Sequence, residues 1–245
     1  MERLQKILQK AGVASRRKAE VWIAEGKVSV DGVVVTDLGV KVSPQAEVRV
    51  MGELLKREAM VYYILNKPPG YVSTTSDPLG RKTLMDLIPV QQRIFPVGRL
   101  DYDTSGLVLL TNDGDFMNRL LHPRYKIEKE YHVKVEGLLR KEESQRLTRG
   151  MDLGDFVSQP AKIIEVRYDD KKVNTYVKII ITEGKYHQIK RMFEAINHPI
   201  LKLKRYRLGN ITIEDLGIGQ YRALKPHELK LIWNLSAFGK DGKND

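Results

Sequence analysis

The stretch "VGRLDYDTSGLVLLTNDG" (residues 97–114) joins a polar turn to a run of aliphatic residues. Asp, Thr and Ser side chains form hydrogen bonds to the nearby backbone in turns, so Asp103, Thr104 and Ser105 predict a turn here. Gly106 ends this turn and leads into a strand. The aliphatic run that follows is continuous and not alternating, which predicts a strand buried on both faces. Asp101, two residues after Arg99, lies at the entry to this strand, and its role is the question that the rest of the sequence has to answer.

Three interpretations of Asp101 are open from these residues. The first is a solvated turn residue. The second takes D-x-D-T as a phosphatase-type aspartyl nucleophile with magnesium, but such a site follows a buried strand in a parallel fold, whereas here the aliphatic run comes after the acid. The third is a lone catalytic carboxylate in an RNA-binding cleft.

The composition favours a polyanionic partner. The chain has 245 residues, with 42 Lys and Arg against 31 Asp and Glu, a formal net charge of +11. An excess of this size is typical of nucleic-acid binding. The absence of Cys excludes disulfides and cysteine-based zinc sites, and the five His residues lack a metal-ligand spacing. No apolar run is long enough to span a membrane, so a cytoplasmic protein that binds neither membrane nor metal is expected.

The first 58 residues are predicted to form a small separate module. Two short helices, "ERLQKILQKAG" and "RRKAEVWIAEG", are followed by "KVSVDGVVV", which alternates around the hairpin dipeptide Asp31–Gly32. Ser15 is placed to cap the second helix. The basic residues Lys6, Arg16, Arg17 and Lys18 cluster here, the last three at a helix start where backbone N–H groups also favour phosphate.

From about residue 60 the pattern changes to strands in consecutive pairs with interspersed helices, which predicts an α+β domain on a largely antiparallel, mixed sheet. We expect this domain to span 60–238 and residues 239–245 to form a disordered tail. A second basic cluster lies within it, because residues 185–207 contain seven Lys or Arg and one acid. Within this cluster, Arg191, Lys202 and Lys204 are predicted to contact RNA, and strand alternation places Lys202 and Lys204 on the face opposite Leu203 and Arg205.

Several motifs in order resemble one known family. "NKPPG", "GRLDYDTSGLVLLTNDG", "KEYHVKVEG", "EGKYHQIKRMF" and "RLGNITIEDLGIGQYRALKPHE" resemble the RsuA/RluB family of ribosomal RNA pseudouridine synthases. The segment "RLQKIL…AGVASRRKAEVWIAEGKVSVDG" resembles the αL RNA-binding motif of a small-subunit ribosomal protein, and this N-terminal position is also the family's arrangement. The resemblance covers nearly the whole chain.

The resemblance implies roles for individual residues. Asp101 corresponds to the family's catalytic carboxylate, which acts either as nucleophile or as base on the sugar. Lys190 falls where the family places the cation that keeps this carboxylate ionised, and many relatives have Arg there. Tyr131 matches the tyrosine that lies against the target base. Arg99 is assigned to the space that the uridine leaves when it is flipped out of its stack.

The resemblance also implies an isomerase that uses no metal, nucleotide or redox cofactor. The expected partner is structured ribosomal RNA, and a monomer is expected. The N-terminal segment looks more like the 23S enzymes and "EGKYHQIKRMF" more like the 16S enzyme, with 23S preferred. The alternatives are the same reaction on 16S RNA and a non-catalytic ribosome-assembly factor that binds ribosomal RNA. In either case Lys67 and Gly70 of "NKPPG" are expected to shape the cleft without a chemical part.

Overall fold

The computed structural model describes residues 1–56 and 58–235. The predicted tail, 239–245, and the end of the predicted catalytic domain, 236–238, lie outside the described residues. The chain divides into two compact units. The first comprises Met1–Val61 with Val90–Ile94 and Asn112–Gly114, and the second comprises the remainder. Among the described residues, no helix is both long and apolar enough to cross a membrane.

The first unit packs two short helices against two small sheets. In chain order the elements of this unit are β1 (Glu2–Arg3), α1 (Leu4–Lys10), α2 (Arg16–Ala24), β2 (Val28–Val30), β3 (Val33–Val34), β4 (Lys41–Val42), β5 (Val48–Val50) and β6 (Glu53–Leu54). Strand β1 pairs with β4, and the other four strands form a sheet in the order β3-β2-β5-β6.

Local sequence explains this unit. The Ser15 hydroxyl accepts a hydrogen bond from the Lys18 N–H at 3.2 Å, which confirms it as the N-cap of α2. Ala19 and Ile23, one turn apart on α2, are fully buried, as are Leu4 and Leu8 on α1. These side chains meet strand residues in one small core, so the module buries its apolar face by itself.

The second unit is built on one large sheet. Its elements are β7 (Tyr62–Lys67), β8 (Phe95–Val97), β9 (Ser105–Thr111), α3 (Gly114–Leu121), β10 (Lys129–Glu136), α4 (Lys141–Arg149), β11 (Lys162–Asp169), β12 (Asn174–Ile181), α5 (Gln188–Glu194), β13 (Ile200–Leu208), β14 (Ile211–Thr212), β15 (Tyr221–Ala223) and α6 (Pro226–Leu235). Short 3-10 helices occur at Leu84–Asp86 and Pro123–Tyr125.

The sheet has nine strands in the order β11-β12-β10-β13-β9-β7-β15, with β14 beside β13 and β8 beside β9. All of its pairings are antiparallel except the one between β13 and β9. The prediction of an α+β domain on a largely antiparallel, mixed sheet is therefore confirmed.

Strand β10 shows how the sheet separates two environments. Tyr131, Val133 and Val135 are buried on one face, whereas His132 and Lys134 alternate with them and stay partly exposed on the other. The partners in register follow the same alternation, because His132 lies opposite Lys204 and Lys178 while Tyr131 lies opposite Arg205.

Gly106 allows the parallel strands to meet directly after the polar turn. It has φ +109°, and a β-carbon built there would lie 2.2 Å from the Arg205 carbonyl oxygen and 2.7 Å from its nitrogen. No side chain fits that space, since both neighbours are backbone atoms. Glycine is therefore required to bring Arg205 beside the start of β9.

We expect Gly106→Ala to destabilise the protein by about 3 kcal/mol or more, because it combines a backbone clash with an unfavourable φ. Gly154→Ala is the matched control, since Gly154 has φ +93° but open space around its β-carbon position. We expect it to cost about 1 kcal/mol. Urea denaturation measures both variants, and equal losses would contradict the clash.

Candidate active site

The turn between β8 and β9 presents Asp101 to solvent from a fixed backbone. The Thr104 N–H donates to the Asp101 carbonyl at 3.1 Å and closes the turn. Ser73 holds the preceding residue, because its hydroxyl donates to the Leu100 carbonyl at 2.7 Å and accepts from the Leu100 N–H at 3.0 Å. Leu100 is buried, as its apolar character predicts. The Asp101 side chain remains one-third exposed, at 33%.

A buried ammonium group holds this turn from beneath. Lys67, at the end of β7, is fully buried. Its Nζ donates to the carbonyl oxygens of Thr104 at 2.8 Å, Asp101 at 3.1 Å and Pro68 at 3.1 Å. Burial lowers the pKa of Lys67 from 10.5 to about 8, against the carboxylates of Asp103 and Asp101, which raise it. Lys67 is thus a positioning residue for the turn.

The lowered pKa of Lys67 predicts a pH dependence of stability. Below pH 8 this lysine is protonated in both the folded and the unfolded chain. Between about pH 8 and 10.5 the unfolded chain holds a proton that the folded chain has lost, so the Lys67 contribution to the unfolding free energy increases with pH in that window.

The variant Lys67→Met removes this group while keeping its approximate volume. We expect the difference in unfolding free energy, wild type minus variant, to rise by about 1 kcal/mol per pH unit above pH 8. Other groups that titrate in the same range cancel in the difference. Urea denaturation of both proteins at several pH values measures it, and a pH-independent difference would exclude the assignment.

Lys190 of α5 connects the two acids of the turn. Its Nζ lies 3.2 Å from Asp101 Oδ2 and 2.6 Å from Asp103 Oδ1. His187 approaches from the same segment, with Nε2 3.5 Å from Asp101 Oδ1. The residue before α5 therefore adds a second nitrogen base next to Asp101, which sequence patterns alone did not identify.

Lys190 and Asp103 stabilise each other's charged forms. Burial acts to lower the pKa of Lys190, but the hydrogen bond to Asp103 and the charge of Asp101 outweigh it, so the pKa is raised. Burial likewise acts to raise the pKa of Asp103, and the Lys190 hydrogen bond and charge bring it below its usual value. Asp103, assigned from its sequence mainly to the turn, therefore also shares the cation with Asp101.

The four residues predicted at the reaction centre line one cavity of about 140 Å³. Tyr131 of β10 is nearly buried, with 8% exposure, and lines this cavity. Arg99 is exposed, and its guanidinium forms no hydrogen bond or ion pair with any residue in the described part of the chain. We call this cavity the cleft; it is lined among others by Arg99, Asp101, Tyr131, His187, Lys190, Lys129 and Arg205.

Two further cations form the inner wall of the cleft. Arg205 is 3% exposed, and its Nε donates to the Leu107 carbonyl at 2.8 Å. Lys129 donates to the Ile127 carbonyl at 3.1 Å. Burial lowers the pKa of Lys129 to about 8, Arg205 lowers it further and Glu183 opposes the change. The interior of the cleft is thus positive.

The predicted RNA-binding residues of the second unit do not all lie at the cleft. Lys202 and Lys204 lie on the opposite face of the sheet, as their alternation with Leu203 predicts. Arg191, also predicted to contact RNA, has partners within the fold. Its guanidinium bonds the Asp155 carboxylate and the Leu153 carbonyl and lies 4.9 Å from the Phe156 ring, so its charge is already matched within the fold.

The basic residues of the first unit differ in availability. Arg16, Arg17 and Lys18 are exposed on the first turn of α2, with the Lys18 ammonium 5.0 Å from the Trp22 ring centre. Lys6 lies 3.1 Å from the Glu2 carboxylate, which offsets its charge. The exposed cluster at the start of α2 remains the better candidate for phosphate contacts.

Sequence reasoning missed three residues of the cleft. His187 has φ +50° and lies directly before α5, where no sequence motif marked it. Arg205 and Lys129 were not singled out because each alternates within a strand like any surface cation. The sequence signal that could have pointed to Arg205 is Gly106. A glycine within a strand indicates the close approach of another backbone, and here that backbone is the one of Arg205. Among the described residues, no group of three His, Asp or Glu side chains could hold a metal.

Two family models match the sequence. Residues 61–195 match the model described as RNA pseudouridylate synthase, and residues 2–48 match the S4 domain. The first range includes the turn with Asp101, Tyr131 and Lys190, and the second includes the basic start of α2.

Similar proteins and a similar structure carry related names. A Bacillus subtilis protein named ribosomal large subunit pseudouridine synthase B is 48% identical over 242 residues, 98% of this chain and 99% of that protein. An Aquifex aeolicus protein named uncharacterized RNA pseudouridine synthase is 46% identical over 94% of this chain and 93% of that protein. A crystal structure described as a pseudouridylate synthase superposes with a TM-score of 0.66 at 32% identity and covers 95% of this chain and 100% of that one.

Proposed function

The chain belongs to the RNA pseudouridylate synthase family, with an S4 domain in its N-terminal part, and from this premise we propose that it isomerises a specific uridine of 23S ribosomal RNA to pseudouridine. The observation that supports the chemistry is the pairing of Asp101 with Lys190 in a positive cleft that also contains Tyr131. The choice of the large-subunit RNA is supported by the 48% identity to the Bacillus subtilis protein named ribosomal large subunit pseudouridine synthase B.

The reaction is an internal transfer of the base. The bond between N1 of uracil and C1′ of the ribose breaks, the base turns, and C5 bonds to C1′; C5 loses its proton and N1 takes one up, so the product is an isomer. We propose that Asp101 acts at the sugar: it either attacks C1′, forming a bond that breaks when C5 attacks, or removes a ribose proton that it later returns. Both roles use the carboxylate form of Asp101, and the Lys190 ammonium 3.2 Å away supplies its counter-charge.

The cleft residues handle the base. Tyr131 presents a nearly buried ring against which the uracil ring packs, and it lies close to the C5 proton when the base has turned. Flipping the uridine out of its stack costs a few kcal/mol. We assign Arg99 to the vacated space, because its planar guanidinium is exposed at the rim of the cleft and stacks on bases.

Binding of the ribosomal RNA uses both units. In the first, Arg16, Arg17 and Lys18 at the start of α2 supply phosphate contacts. We further propose that the protein acts as a monomer in the cytoplasm, with residues 1–58 as the RNA-docking module and the chain from residue 60 as the catalytic domain.

The proposed function is tested with the purified chain and RNA transcribed with [5-³H]uridine. Pseudouridine formation releases the C5 tritium, so we expect release from 23S RNA to reach one equivalent per molecule and release from 16S RNA to stay at background. Release from 16S RNA alone would move the substrate to the small subunit. No release from either RNA would contradict the function.

A further inference from the structure

The face of the large sheet opposite the cleft is strongly basic. Strands β10, β11, β12 and β13 bring five Lys or Arg side chains to it and one carboxylate, Glu165. They border a shallow groove of about 210 Å³. We call this surface the basic face; it is formed by His132, Lys134, Glu165, Arg167, Tyr176, Lys178, Lys202 and Lys204.

The register of the strands separates this surface from the cleft. His132 lies opposite Lys204 on β13, and Lys134 lies opposite Lys202. Tyr131, which precedes His132 on β10, and Leu203, which lies between the two lysines on β13, are on the other side of the sheet and line the cleft. An RNA segment on the basic face is therefore divided by the thickness of the sheet from the uridine in the cleft.

Three lysines of the basic face have uncompensated charge. Glu165 lies 2.5 Å from Lys178 and 2.7 Å from Arg167, so those two cations are partly neutralised. Lys134, Lys202 and Lys204 form no ion pair with any residue that the structure describes. Lys202 and Lys204, two residues apart on one strand, are separated by about 7 Å, which allows each to meet a different phosphate.

Aromatic rings lie among these cations. The Tyr176 ring has the Lys134 ammonium 5.2 Å and the Arg167 guanidinium 5.9 Å from its centre. His132 stacks on Tyr206 with ring centres 4.5 Å apart and planes inclined by 14°. The rings fix the side chains around the groove, and such a mixture of cations and planar groups suits an RNA backbone with exposed bases.

We propose that the basic face binds a second segment of the ribosomal RNA, outside the stem that delivers the uridine to the cleft. This proposal rests on the proposed function, because the RNA held at the cleft is the polyanion already present at high effective concentration. An acidic protein would also match the charge, but it lacks that tethering. The contact adds affinity for the large folded RNA without contributing to the chemistry.

The test compares two triple variants of equal charge. Lys134→Gln, Lys202→Gln and Lys204→Gln together neutralise the basic face. Lys141→Gln, Lys171→Gln and Lys230→Gln neutralise three exposed lysines elsewhere on the second unit. Affinity of the full chain is measured over a range of salt concentrations for the complete 23S transcript and for a short stem–loop cut around the modified uridine.

We expect the first triple variant to lose at least about tenfold more affinity for the 23S transcript than for the stem–loop, with a salt slope smaller by about two. The control variant should lose equally little on both RNAs. Equal losses of the first variant on both RNAs, or transcript binding equal to that of the control, would overturn the proposal. Tritium release from the 23S transcript by the wild type is scored separately, since its absence contradicts the proposed function and not the binding surface.

Discussion

Asp101→Asn is expected to abolish pseudouridine formation, with a fall in rate of about 10⁴-fold or more. The amide keeps the size of the side chain and its oxygen still accepts from Lys190. It has no negative charge, however, and neither attacks C1′ nor takes a proton from the ribose. The loss is therefore expected in turnover and not in affinity for RNA.

The fold should tolerate this substitution. The Asp101 side chain is one-third exposed, and the hydrogen bonds of the turn use the Asp101 backbone carbonyl, which accepts from Lys67 and from the Thr104 N–H. Asp103→Asn is the matched control, since it removes the second carboxylate bound to Lys190 and leaves the first. Tritium release and filter binding are measured for both variants. An Asp101→Asn rate within tenfold of the wild type would exclude Asp101 as the reacting group.

Lys190→Met is expected to reduce turnover by about 10²- to 10³-fold. The substitution leaves two carboxylates, Asp101 and Asp103, without the cation that both contact. The loss appears mainly in kcat, because Lys190 contacts the reacting carboxylate rather than the RNA backbone.

Lys190→Arg is the control that separates charge from structure. A guanidinium keeps the positive charge and pairs with carboxylates in a bidentate manner, so most of the activity should return. Single-turnover kinetics with saturating enzyme measure the chemical step for both variants. If the arginine variant is as defective as the methionine variant, the charge of Lys190 is not what the site requires.

Much of the site was predictable because its motifs are local. The polar turn before the aliphatic run of β9 placed Asp101 at a strand entry, and the motifs around Tyr131 and Lys190 were recognised by their resemblance to the family. The placement of Lys202 and Lys204 on one face of their strand was also predictable, because every second side chain of a strand points to the same face of the sheet. The structure brings Asp101, Tyr131, Lys190 and Arg99 to one cavity.

The remainder depends on tertiary contacts that no local pattern encodes. Lys67 ends a strand and resembles a turn lysine, yet it is fully buried and donates to four carbonyl groups, three of them in the turn at 101–104. Arg191 follows Lys190 directly in a basic helix, but a loop at 153–156 neutralises it. Strand β15 has three residues, too few for periodicity to identify it, and exists because it pairs with β7.

The most direct test of the central claim maps pseudouridines in ribosomal RNA from cells with and without the gene. The account predicts that one 23S position loses its pseudouridine in the deletion strain, regains it with the wild-type gene and does not regain it with the Asp101→Asn variant. An unchanged set of pseudouridines in the deletion strain, or full restoration by the Asp101→Asn variant, would contradict it.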